Sequence, residues 1–170
     1  MTKCIIAVAV ALGFALPAAA DDNDNLARFK GGIGVIPVSS APGPAPTATV
    51  VNRNIVRGVQ PAGQIWVIED LRADVKADGS ITVDGRGLLL GGGNNIGSNA
   101  NAKVFATLIC EATAPFTERN TSLAGVALEA DGDFRINDML TPAPADCASP
   151  VLLIRNAANQ AWFAAGIPKQ

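Results

Sequence analysis

Apolar and polar positions alternate with period two along most of this chain, and apolar runs are short. No stretch repeats every 3.6 residues over a useful helix length. The clearest alternation is in 64–91 (QIWVIEDLRADVKADGSITVDGRGLLLG). Leu71, Ala73 and Val75 fall on one face, and Asp70, Arg72, Asp74 and Lys76 on the other. Asp78-Gly79 marks a turn, and a three-residue loop with Gly79 in the left-handed position sets a hairpin register. In that register Arg72 faces Asp84, Asp70 faces Arg86, Val75 meets Ile81 and Ala73 meets Val83. A shift by one step would oppose Asp74 to Asp84 and Arg72 to Arg86, and like charges directly across a sheet repel.

The same turn recurs at Asp131-Gly132, predicting a second hairpin with Leu128 opposite Phe134 and Val126 opposite Ile136. Further strands are expected at 33–38, 50–59, 104–111, 151–156 and 161–165. Three loops separate them: 41–49 (APGPAPTAT), 91–101 (GGGNNIGSNAN) and 141–150 (TPAPADCASP). The glycine loop reads as a flexible connection. Eight or nine short strands predict an all-β, two-sheet antiparallel sandwich, with a β-barrel as the alternative. The rhythm resembles that of immunoglobulin-like or transthyretin-like secreted modules, which assigns no function.

The first twenty residues break the alternation. A basic start at Lys3, an apolar run from Cys4 to Leu16 and an Ala18-Ala19-Ala20 site before Asp21 have the three-part plan of a secretory signal peptide. The run is short for a membrane-spanning helix, which takes about 20 residues. The expected organisation is therefore a signal peptide at 1–20 and one domain at 21–170, secreted or periplasmic, with no membrane span after cleavage. Cleavage removes Cys4 and leaves Cys110 and Cys147, an even pair that predicts a disulfide in an exported chain.

Loss of Lys3 from 13 basic residues leaves 12 against 15 acidic ones. The basic residues are scattered in sequence, which argues against a nucleic-acid partner. The chain has no His and no Tyr, which excludes Ser-His-Asp and Cys-His catalysis and His-ligated zinc. Gly32-Ile33-Gly34 and the segment 92–98 lack the remaining features of nucleotide loops. Asp21, Asp22 and Asp24, and Asp131 with Asp133, carry the oxygens calcium prefers, but without an EF-hand loop. No cofactor or metal is expected.

One end of the first hairpin is apolar on both faces. Trp66, Ile68, Leu88 and Leu90 either lie under a neighbouring segment or form an interaction patch. The expected function is a non-enzymatic exported module acting by binding or structural association, in part through sheet edges, with a protein or small-ligand partner. A carboxylate-dependent hydrolase and a small-ligand carrier are the alternatives. The sequon Asn120-Thr121-Ser122 is the remaining motif.

Overall fold

The computed structural model describes residues 25–43 and 49–169. The expected signal peptide, Asp21, Asp22 and Asp24 lie outside the described residues, as does part of the 41–49 loop.

The described chain is all-β and antiparallel. Its strands are β1 (Asn25–Gly34), β2 (Val38–Pro42), β3 (Thr49–Arg53), β4 (Trp66–Val67), β5 (Asp70–Lys76), β6 (Ser80–Arg86), β7 (Leu89–Leu90), β8 (Lys103–Ile109), β9 (Arg119–Asn120), β10 (Val126–Ala127), β11 (Phe134–Met139), β12 (Val151–Asn156) and β13 (Trp162–Pro168). Nine of them form one sheet in the order β10-β8-β12-β13-β1-β5-β6-β11, with β9 also on β8. Asn120 and Thr141 exchange backbone hydrogen bonds of 3.0 and 2.9 Å, joining β9 to the residues just after β11. The sheet is thereby nearly closed, like a barrel.

The hairpin β5–β6 has the expected register: Asp70 opposite Arg86, Arg72 opposite Asp84 and Val75 opposite Ile81. Gly79 takes φ +90°, and the Asp78 carboxylate accepts from the Ser80 N–H at 2.8 Å. The second hairpin repeats the turn, with Gly132 at φ +87° and Asp131 accepting from the Asp133 N–H. Its expected ladder does not form. β10 pairs with β8, and the Leu128 N–H donates to Ala102 rather than across to β11. The strand expected at 50–59 stops at Arg53, because the chain turns at Arg57 and Gly58, both with positive φ. The strand expected to start at Ile33 instead starts at Asn25 and occupies the middle of the sheet.

Alternation sends Ala27, Phe29, Leu71, Ala73, Val75, Ile81, Val83, Phe134 and Ile136 inward, where all are buried. Size is matched across the interior. Phe134 lies opposite Gly85 and fills the space a side chain there would take: a Cβ on Gly85 would sit 2.1 Å from the ring. Strands β8 and β12 are buried on both faces, which explains their unbroken apolar runs. Their outer face is covered by loops. Arg57 donates to the carbonyls of Ile109 and Ser149 at 2.9 and 2.6 Å and packs on Phe116. Arg155, 4 % exposed, lies over Phe105 and pairs with Glu118 at 2.6 Å. The Cys110–Cys147 disulfide ties the 141–150 loop to the end of β8, and the Ser149 N–H donates to the Cys110 carbonyl.

Candidate functional site: a charged sheet face and a projecting arm

The outward positions of β1, β5, β6 and β11 are almost all polar. Register aligns them into rows. Lys30, Arg72, Asp84 and Arg135 stand side by side on four successive strands. The next row begins Arg28, Asp74, Thr82, Asn137. Arg28 pairs with Asp74 at 3.3 Å, Arg72 with Asp70 at 3.1 Å, and Arg135 with Asp84. The expected opposition of Arg72 and Asp84 therefore holds as backbone register and not as an ion pair. A third strand offers Asp84 a closer guanidinium, and Arg72 turns to the carboxylate two residues back on its own strand.

A groove of about 470 Å³ runs across β5, β6 and β11. Arg72, Arg86 and Arg135 line it with Asp70, Asp84, Glu129 and Asp133. None of these four carboxylates is buried, and Asp133 accepts from the Gly87 N–H at 3.0 Å. Arg86 makes no ion pair among the described residues, since Asp70, directly opposite, is engaged by Arg72.

The second feature is the hairpin β2–β3. Ser39 pairs with Asn52 and Val38 with Arg53, and neither strand pairs with any other among the described residues. Its base is fixed by the Asn54 N–H to the Pro37 carbonyl and by the Arg53 guanidinium to the Pro61 carbonyl. Ile36, Val38 and Ile55, all exposed, surround that base.

The apolar end of the first hairpin is mostly covered. Trp66 faces Leu90 as expected. Trp66, Leu88 and Leu90 are buried and Ile68 is half-buried, so these four do not form an open patch. Trp66 stacks on Phe163 with ring centroids 3.9 Å apart. The glycine loop is folded rather than loose: the Gly97 N–H returns to the Leu90 carbonyl, and the Asn99 amide donates to Leu128 and Glu129. Asn120 of the sequon accepts from the buried Thr107 hydroxyl at 2.6 Å and is committed to the fold. No three His, Cys, Asp or Glu residues converge as a metal-ligand group among the described residues. Asp131 and Asp133 serve their turn and the Gly87 N–H instead. No described helix is long and apolar enough to cross a membrane.

One carboxylate is strongly perturbed. The Arg119 guanidinium, hydrogen-bonded at 2.9 Å, pulls Glu111 down to about 2. This pair stands beside the disulfide and pins the loop leaving β8. Alternation alone places Arg72, Arg86 and Arg135 on outward positions, whereas Lys30 lies on a strand that the sequence pattern did not assign. Only the pairing of strands far apart in sequence reveals that they share a face. The chain matches no protein-family model, no curated protein and no solved structure.

Proposed function

We propose that the protein is an exported, non-enzymatic module that associates with another protein chain by strand addition to the β2–β3 arm. The observation that carries this reading is the contrast in edges. The main sheet is nearly closed, whereas among the described residues neither outer side of the arm pairs with another strand. An exposed edge is a template for pairing, and proteins usually blunt it with charge, proline or a bulge. The β3 sequence Thr49-Val50-Val51-Asn52-Arg53 has no proline and three β-branched residues.

Export to the periplasm or outside the cell is supported by the leader-like pattern of residues 1–20 and is compatible with the disulfide. A carrier role is disfavoured because aromatic and branched side chains fill the barrel interior. The hydrolase reading has four carboxylates at the charged groove, but a general acid needs a carboxyl that burial keeps protonated, and none of the four is buried.

The test is site-specific photo-cross-linking in the native host from Ser39 and from Asn52, which are exposed and opposite one another. Both positions should give discrete protein adducts that Val50→Pro abolishes, while a probe at Gly63 gives none. Absence of arm adducts, or adducts unaffected by the proline, refutes strand addition.

A further inference from the structure

We propose that the outer face of β1, β5, β6 and β11 binds an acidic polysaccharide: a hydroxyl-rich chain carrying carboxylates. The first observation is a conflict inside the sheet. Lys30 lies directly opposite Arg72, although like charges in that position repel. Arg72 turns to Asp70, and Lys30 is left exposed with no ion pair among the described residues. Arg86, facing the same Asp70, is left equally without one. An anion held among Lys30, Arg72 and Arg86 relieves the repulsion and engages both unpaired cations.

The second observation is the balance of charge. Among the described residues, Arg28, Lys30, Arg72, Lys76, Arg86 and Arg135 meet Asp70, Asp74 and Asp84 on this face and Glu129 and Asp133 at the rim of the groove, a small positive excess in a chain whose net charge is −2. Folding has gathered cations that are scattered in sequence.

The third observation decides the class of anion. The groove lined by Arg72, Arg86 and Arg135, with Lys30 outside it on β1, also carries Glu129 and Asp133 at its rim, together with Asp70 and Asp84. These carboxylates repel any anionic group, the ligand's own included, so only a ligand with hydroxyl donors between its charges gains from them. Sugar hydroxyls donate to carboxylates, while an arginine fork binds a sugar carboxylate in the same plane. An acidic polysaccharide uses both signs of charge, and the groove of about 470 Å³ has room for a sugar unit. Because this face lies on the barrel and not on the arm, the inference stands or falls independently of strand addition.

The test uses the full-length secreted protein and polygalacturonate oligomers, titrated by calorimetry at low salt, with dextran, inorganic phosphate and a single-stranded DNA oligomer in parallel. Polygalacturonate should bind and the other three should not. Lys30→Gln/Arg86→Gln should weaken binding by about tenfold, the sum of two exposed charge contacts, with a melting temperature no lower than that of wild type, since the Lys30–Arg72 repulsion is removed. Glu129→Gln should also weaken it, although that change removes a negative charge. Absence of polygalacturonate binding overturns the proposal, as does equal binding of DNA or phosphate. So does tighter binding by Glu129→Gln, which would mark simple charge attraction.

Discussion

The Gly85–Phe134 contact predicts a specific failure of packing. Gly85→Ala places a methyl 2.1 Å from Phe134 Cε1 and 2.2 Å from Cζ, far inside the carbon–carbon optimum of about 3.5–4.0 Å. Phe134 is 5 % exposed and cannot swing into solvent without losing its burial. Overpacking of this kind costs about 1–3 kcal/mol. Replacing glycine in a strand returns about 0.5–1 kcal/mol through the unfolded chain. The contact is deep enough to place the net loss near 2 kcal/mol. At about 2–4 °C per kcal/mol for a chain of this size, the melting temperature should fall by about 4–8 °C.

Phe134→Leu alone should also destabilise, by about 1–3 kcal/mol, because it leaves space in the barrel. In the double variant the new methyl occupies part of that space. The combined loss should therefore be smaller than the sum by at least about 0.5 kcal/mol. Urea unfolding of the wild type, both single variants and the double variant measures this coupling. Gly63→Ala is the control, since nothing lies within 4 Å of its Cβ position, and it should stay within about 0.5 kcal/mol of wild type. Strict additivity, or a Gly85→Ala variant as stable as wild type, would refute the packing argument.

Four further outcomes follow from the fold. Removing the disulfide by Cys110→Ser/Cys147→Ser should cost about 4 kcal/mol from the chain entropy of a loop spanning 37 positions, read by denaturant unfolding. Glu111 is depressed in the folded state, so its contribution is fully present above its ordinary value of 4.5 and is lost as pH falls toward 2. Arg119→Gln should flatten that part of the acid unfolding curve. Asp84→Arg should destabilise by less than about 1 kcal/mol, the pair being exposed, and exchange with Arg135→Asp, which re-forms the ion pair, should restore more of it than exchange with Arg72→Asp, which only relieves the cross-strand repulsion. Arg155→Ala should cost about 2–3 kcal/mol, because it removes the guanidinium bonds to the Gln160 carbonyl and the Thr107 hydroxyl and empties the space over Phe105, while Glu118, 40 % exposed, can turn to solvent; a melting temperature within about 3 °C of wild type would contradict this reading.

The parts of this fold that were legible in sequence are those settled by neighbours in the chain. The β5–β6 register followed from a turn glycine and from charges a few residues apart. The disulfide followed from an even cysteine pair behind an N-terminal segment with the pattern of a leader. What sequence could not supply were relations among three strands. Asp84 has a strand on each side, and only the placement of β11 determines that Arg135 rather than Arg72 takes it. The second hairpin shares its turn chemistry with the first, yet β8 captures β10 through contacts no local pattern encodes. The first strand was hidden because Gly31 and Gly32 interrupt its alternation at a bulge against β13, although Ala27 and Phe29 point inward and Arg28 and Lys30 outward. The charged face was illegible for the same reason: its four strands span residues 25 to 139.

The central place of β1 has a consequence for the order of events during folding. It pairs on one side with β5 and on the other with β13, so the first described strand is flanked by the last. The ring cannot be completed until Trp162–Pro168 is available, however early the β5–β6 hairpin forms. Until then one side of β1 stays open, and its contacts with β13 join residues 130 or more positions apart. Topologies dominated by such distant pairings fold slowly.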